Sequence, residues 1–121
     1  MKWLAGFLLV LTTAMPTSAG EVDVVQVKIT ITSERTYHFD VTVLHDDTGW
    51  DHYADQWEIV AADGKILGTR KLLHPHVNEQ PFTRSLSGVG IPNNIQQVSV
   101  RAHDSVHAYG GKVMTLDIPS E

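Results

Sequence analysis

The 121-residue chain contains no cysteine, and this absence removes several kinds of chemistry at once. Disulfide bonds, thiolate metal ligands, cysteine nucleophiles and Cys-x-x-Cys redox motifs are all excluded. The folded protein must therefore be stabilised by the packing of its core alone.

Methionine, basic clusters and helical periodicity are also scarce. Met114 is the one methionine of three that lies beyond residue 19, which excludes a methionine-rich copper(I) carrier. No run of Lys or Arg occurs and the net charge is −5, so neither nucleic acid nor an anionic membrane is expected as a partner. No segment of useful length carries the apolar stripe of an amphipathic helix.

The longest apolar stretch lies at the start of the chain and has the three parts of a secretory leader. Lys2 supplies the positive charge, and residues 3–11 are apolar but too few to span a bilayer as a helix. After the helix breaker Pro16 come the small residues Thr17-Ser18-Ala19, which a signal peptidase recognises.

These features predict a signal peptide over residues 1–19, with cleavage before Gly20. Residues 20–121 then form a single domain of net charge −6 with no further membrane span. We expect an exported protein, periplasmic or secreted. The lack of cysteine favours a bacterial periplasm over a disulfide-rich secretion route.

Beyond the leader, short segments of alternating apolar and polar residues are separated by turn residues. In the first segment Val25, Val27, Ile29 and Ile31 share one face, as in a strand with one buried side. Seven such strands in about 100 residues predict an all-β, seven-stranded antiparallel β-sandwich of the immunoglobulin-like or fibronectin-like kind. The predicted strands are residues 25–32, 37–43, 57–61, 65–73, 82–86, 98–102 and 114–118.

The connections between these strands differ sharply in composition. When successive strands are antiparallel, their connections alternate between the two ends of the sandwich. The second, fourth and sixth connections span residues 45–55, 74–81 and 103–111 and contain six of the seven histidines. The other three connections contain none. We therefore expect histidines and carboxylates to gather at one end.

Imidazole nitrogen combined with carboxylate oxygen is the ligand set of zinc, copper(II), nickel, manganese and non-haem iron, of which we expect zinc or copper(II) here. His74-Pro75-His76 can place two rings on one side of a stiff extended backbone. A carboxylate in such a cluster either binds the metal or orients an imidazole through its second nitrogen. The first candidates for metal ligands are His74, His76, His103 and His107, followed by His45 and His52, with Asp47, Glu79 and Asp104 as the carboxylates.

Two other functions remain open for the same end. A non-catalytic recognition module would grip a protein or a glycan through Trp50, Tyr53 and polar loop groups. A metal-dependent enzyme would need an open coordination position. The sequence shows neither a Ser-His-Asp arrangement nor a phosphate-binding glycine loop, and the histidine–aspartate pairs can also serve only to fix loop shape. The oligomeric state stays open.

Three strings of the sequence carry a family resemblance: HDDTGWDHYADQWEIV, LLHPHVNEQPFTRSL and RAHDSVHAYGG. They resemble an uncharacterised family of small, exported, proteobacterial-type β-sandwich proteins of unknown function. The resemblance covers nearly all of the chain beyond the leader. It implies export and a single domain, and it implies no activity.

Overall fold

The computed structural model describes residues 20–120, which form two antiparallel sheets and no helix. The predicted signal peptide lies outside the described residues, so its cleavage stays a prediction. Within residues 20–120 nothing has the length and apolar character of a membrane-crossing helix. The strands are β1 (Asp23–Ser33), β2 (Thr36–Leu44), β3 (Ala54–Ala61), β4 (Ile66–Lys71), β5 (Phe82–Gly90), β6 (Gln97–Asp104), β7 (Ala108–Tyr109) and β8 (Met114–Asp117).

The first sheet has the order β1-β2-β5, and the second has the order β4-β3-β6 with both β7 and β8 paired to the free edge of β6. Inward-facing residues of β2, β3 and β6 form the centre of the core, where Trp57, Tyr37 and Phe39 are completely buried. These side chains alternate with outward-facing polar residues, as the period of a strand requires. The result is the predicted all-β arrangement of two facing sheets.

Each of the seven predicted strands has a counterpart, and the structure adds the two-residue strand β7, which the sequence analysis placed within a loop. Both β7 and β8 run antiparallel to β6, and residues 110–113 separate them. The added strand therefore continues the direction of β8, so the alternation of connections between the two ends survives.

The prediction that Val25 shares the core face of the first strand is wrong. The pairing of β1 with β2 shifts register between Val24 and Gln26, which leaves Val25 in a bulge with 41% of its surface exposed. A bulge inserts one extra residue and reverses the facing of the residues that follow. Val22 and Val24 consequently supply the buried side chains at this end of the strand.

The connections lie at two ends of the sheets, which we name by their content. The turn end consists of residues 34–35, 62–65 and 91–96. The histidine end consists of residues 20–22, which are the first described residues, the loops 45–53 and 72–81, and residues 103–107, which are the end of β6 and the loop after it. Strand pairing fixes this placement, since Asp23 lies opposite Leu44 and Ala54 lies opposite Asp104.

Candidate metal centre

Three side chains of the histidine end bring their ligand atoms within 4.8 Å of one another: His45, His52 and Asp104. We call them the trio. His45 directly follows β2, His52 lies near the start of β3, and Asp104 is the last residue of β6. Strands of both sheets thus bring the three groups together at one end. Among residues 20–120, no other group of three or more histidine and acidic side chains brings its ligand atoms within this distance of one another.

Asp104 is the buried anchor of the trio, with a side chain that is 0% exposed. Its Oδ1 accepts backbone hydrogen bonds from Val106 at 2.8 Å and His107 at 2.6 Å, which hold the turn after β6. Its Oδ2 has no hydrogen-bond donor among the described residues and lies 4.0 Å from His45 Nε2. A buried carboxylate oxygen without a donor is costly in free energy, so a cation here would stabilise the fold.

Burial alone would raise the pKa of Asp104, but other groups outweigh it. The two backbone N–H groups of His107 and Val106, followed by the charges of His107 and His45, hold the pKa of this carboxyl below its ordinary value. Asp104 is therefore ionised at neutral pH and presents negative charge to the two imidazoles of the trio.

His45 is oriented by Asp47, whose side chain is also 0% exposed. A carboxylate oxygen accepts hydrogen bonds, so His45 Nδ1–H donates to Asp47 Oδ1. Asp47 further accepts N–H bonds from Ala54 at 3.0 Å and His76 at 2.7 Å, which fix the carboxylate between two loops. In the tautomer with the proton on Nδ1, the lone pair of His45 Nε2 points toward the Gly20 carbonyl oxygen at 2.9 Å, so this tautomer suits a cation between the two atoms. This is the usual way in which a carboxylate prepares a metal-binding histidine.

His52 and His107 approach Asp104 from the solvent side. His52 Nε2 and His107 Nδ1 each lie 3.3 Å from Asp104 Oδ1, and their side chains are 21% and 37% exposed. The ring centroids of His52 and His45 are 4.8 Å apart, and those of His52 and His107 are 4.9 Å apart. His107 thus borders the trio and can move onto a shared ion from its open side.

The backbone carbonyl oxygen of Gly20 projects into the middle of this cluster. It lies 2.9 Å from His45 Nε2, 3.1 Å from His52 Nε2 and 2.9 Å from His107 Nδ1. Sequence reasoning missed this oxygen because a backbone atom has no residue-type signal. The available signal was positional, since Gly20 lies three residues before the first residue of β1, at the histidine end.

The spacing of these atoms matches that of ligands around one metal ion. With bonds of about 2.0–2.1 Å, two ligand atoms are separated by about 2.9 Å at a right angle and by about 3.3 Å at a tetrahedral angle. His45 Nε2 and His52 Nε2 are 3.3 Å apart, and the Gly20 oxygen is 2.9 Å from His45 Nε2. These separations are also those of hydrogen bonds from an imidazole N–H, so the same three atoms can hold either a proton or a metal ion between them.

His74 and His76, the pair ranked first from the sequence, lie together but outside the trio. Their rings are 4.5 Å apart, and the buried His76 ring stacks on Phe82 at 3.8 Å. Arg84 donates from its guanidinium to His76 Nε2 at 2.8 Å. Burial, then the charges of Arg84 and His74, lower the pKa of His76. A lone pair that accepts from Arg84 is not free for a metal.

The remaining predicted ligands have other surroundings. His103 Nδ1 pairs with Asp55 Oδ1 at 2.6 Å, and its ring packs edge-on against Tyr109 at 4.9 Å. Glu79 is exposed in the loop after β4. Of the nine candidates, the structure groups His45, His52 and Asp104, sets His107 beside them, and places Asp47 behind His45.

The chain is similar to a protein of the archaeon Halomicrobium mukohataei described as "Putative lipoprotein", with 43% identity over 100 residues. The aligned region covers 83% of this chain and 49% of the relative, so the chain spans about half the length of that protein. No family model matches the sequence, and no solved structure matches it. An archaeal relative does not support the proteobacterial-type origin, whereas a relative described only as a putative lipoprotein fits an uncharacterised family.

Proposed function

We propose that this is an exported metal-binding protein whose histidine end holds one zinc or copper(II) ion without catalysing a reaction. The observation that carries the proposal is the convergence of electron-pair donors. His45 Nε2, oriented by Asp47, faces His52 Nε2, a carbonyl oxygen and the ionised Asp104. Such a set is stable with a positive charge at its centre, and nitrogen with oxygen ligands suits zinc and copper(II).

Two observations support export. The sequence predicts a cleavable leader over residues 1–19, and the archaeal relative carries the name of a lipoprotein. Copper(II) persists outside the reducing cytoplasm and zinc(II) has no redox chemistry, so a site of nitrogen and oxygen ligands suits either ion in an exported protein. We place the working domain, residues 20–121, in the periplasm or in the secreted fraction.

The strand order supports the finer fold proposal, an immunoglobulin-like or fibronectin-like sandwich. One sheet contains β1, β2 and β5, and the other has the order β4-β3-β6-β8. Such sandwiches divide their strands between two sheets in a similar way. Loops clustered at one end are the usual binding region of these folds. The histidine end occupies that position.

The direct test is metal content and affinity of the protein purified from the cell envelope without a polyhistidine tag. We expect one equivalent of zinc or copper by elemental analysis, and the same stoichiometry on titration of the metal-free protein. The double variant His45→Ala/His52→Ala should lose at least about 100-fold in affinity, because it removes two ligands where even an outer-shell partner costs 10–100-fold.

The matched control is His74→Ala/His103→Ala, which removes the same number of imidazoles from outside the trio. It should keep the stoichiometry and affinity of the wild-type chain. Binding lost in this control and retained in the first variant would move the site to the residues ranked first from the sequence. Wild-type protein that binds neither ion would refute the proposal.

Recognition of a protein or glycan by the same end is the second candidate, and one exposed aromatic pair favours it. Trp50 is 67% exposed and packs edge-on against Tyr53, with ring centroids 5.5 Å apart. A large exposed tryptophan is a frequent anchor of binding surfaces. Trp50→Ala should then abolish capture of an envelope partner while leaving metal affinity unchanged. Capture that is equal for both chains would argue against this candidate.

A further inference from the structure

We propose that Gly20 is itself a metal ligand, through its carbonyl oxygen and, once the leader is removed, through its free α-amine. Metal loading would then be coupled to processing, because the site is complete only in the cleaved chain. This inference rests on the proposed metal-binding function and adds both a ligand and a condition for its use.

Core packing and hydrogen bonds hold the segment that contains Gly20. Val22 is 1% exposed and anchors residues 20–22 in the core. Val24 N–H donates to Lys112 O at 2.9 Å, and Lys112 N–H donates to Asp23 Oδ1 at 2.7 Å. These contacts pin the segment beside the interruption between β7 and β8. The Gly20 carbonyl is therefore positioned by the fold.

Glycines lie where residues 20–22 pack against residues 107–111. A Cβ atom on Gly111 would collide with the Val22 carbonyl oxygen, and one on Gly110 would collide with the Glu21 carboxylate. A Cβ atom on Gly20 would lie 2.6 Å from His107 Cε1, and its φ of +98° is one that glycine adopts most readily. The Gly111 contact is with backbone, so Gly111 is required for the N-terminal segment to pack here, whereas the Gly20 and Gly110 contacts are with the ends of the His107 and Glu21 side chains.

Cleavage of the leader changes the chemistry of the Gly20 nitrogen. Hydrolysis of the Ala19–Gly20 bond by a signal peptidase consumes one water and leaves a carboxylate on Ala19 and an amine on Gly20. Before cleavage the Gly20 nitrogen is an amide whose lone pair is delocalised and does not bind metals. A free α-amine instead has a localised lone pair that a metal ion can bind in exchange for a proton.

The amine and the carbonyl oxygen of Gly20 can bind the same metal ion. Amine nitrogen, Cα, carbonyl carbon and carbonyl oxygen of one residue close a five-membered ring with a metal, in which the two ligand atoms subtend an angle near 90°. The Gly20 oxygen lies 2.9 Å from His45 Nε2 and 3.1 Å from His52 Nε2, the separations expected for neighbouring ligands at such angles. The trio and this chelate together supply five donors, a set that suits copper(II) especially well.

The test compares chains that differ in one residue at the N-terminus. One begins at Gly20 and the other at Ala19, so that both keep the carbonyl and the first alone has the Gly20 amine. Both are released from a fusion by a specific protease and verified by mass spectrometry. Zinc and copper(II) affinities are then measured by competition with a chelator. We expect the Ala19 chain to bind at least about 10-fold more weakly, as for the loss of one supporting group or more.

A chemical readout separates coordination from a steric effect of the added residue. Acylation of the Gly20 α-amine in the Gly20 chain, followed by mass spectrometry of its N-terminal peptide, should slow at least about 10-fold when metal is bound. An N-acetylated Gly20 chain, which adds no residue, should show the same weak affinity as the Ala19 chain. Circular dichroism of the metal-free chains verifies that all of them fold.

Equal affinity of the Gly20 and Ala19 chains, with binding lost in the His45→Ala variant of each, would overturn this inference and leave the proposed metal site intact. Absence of binding in every chain would overturn the proposed function and this inference with it. Weaker binding of the Ala19 chain without protection of the amine would also refute amine coordination.

Discussion

At the turn end, the strands are joined by two, four and six residues. Asp63 Oδ1 accepts the Lys65 N–H at 3.0 Å, and Gly64 at a φ of +91° closes that turn, so the local residues satisfy their own backbone. At the histidine end, two loops have nine and ten residues, and buried carboxylates hold them. Asp47 joins β3 and the 72–81 loop to its own loop.

The difference shows two ways to terminate the same strands. The 62–65 turn needs only Asp63 and a glycine in the left-handed conformation, and the 34–35 turn needs only Arg35 in that conformation. Long loops must instead satisfy polar groups within the protein, and burying Asp47 and Asp104 without water is unfavourable unless donors or a cation compensate. The histidine end is therefore the region whose stability should respond to a metal, and the turn end is not.

The largest expected effect is on the response of thermal stability to metal. A metal ion at 100 times its Kd should raise the free energy of unfolding by about 2.7 kcal/mol, since it binds only the folded state. Calorimetry of wild type with zinc or copper(II), and again after a chelator, measures this gain. His38→Ala, remote on β2, should keep the gain, and His45→Ala should lose it. A similar gain in stability with metal in both variants would show that the gain does not depend on the histidine end.

The next largest effect concerns Asp47→Asn. The amide replaces one acceptor oxygen with a donor that faces an N–H group of His45, Ala54 or His76. An unsatisfied buried donor costs about 1–3 kcal/mol, and loss of the orienting carboxylate should weaken metal binding by about 10–100-fold. Denaturant unfolding and metal titration check the two consequences. Unchanged metal affinity would show that His45 is oriented by other contacts.

A smaller effect is expected at the turn end from Gly64→Ala. The added methyl group meets no atom within 4 Å, so the cost comes from the left-handed backbone at a φ of +91° and should be about 1 kcal/mol. Metal affinity should not change, because this turn is separated from the histidine end by the length of the strands. A weaker affinity in this variant would contradict the independence of the two ends.

The smallest effect is a pH dependence from His76, whose pKa is lowered by burial and by Arg84 and His74. The folded state then binds its proton less readily than the unfolded state, whose pKa is about 6.5. The stabilising contribution is fully present above pH 6.5 and is lost as the pH falls from there toward the lowered folded value. Metal-free His76→Gln should show a flatter decline over this window in denaturant unfolding. An equally steep decline would assign the titration to another group.

Much of the fold followed from the sequence because alternation and turn residues are local signals. Seven strand positions and the end at which six histidines gather could be derived from period two and from the parity of antiparallel connections. The bulge at Val25 and the two-residue strand β7 could not. Both depend on pairing with another strand, which shifts register or adds hydrogen bonds without a distinctive residue pattern.

The candidate site was predictable as a region and not as a geometry. The sequence by itself determined three things. Histidines and carboxylates lie in every second connection between strands, thiolates are absent, and Gly20 follows a leader-like segment. Only the tertiary structure decided that His45, His52 and Asp104 converge while His76 accepts from Arg84. The physical reason is that strand register and loop packing set ring positions to within a few ångströms, and residue spacing along the chain carries no such distance.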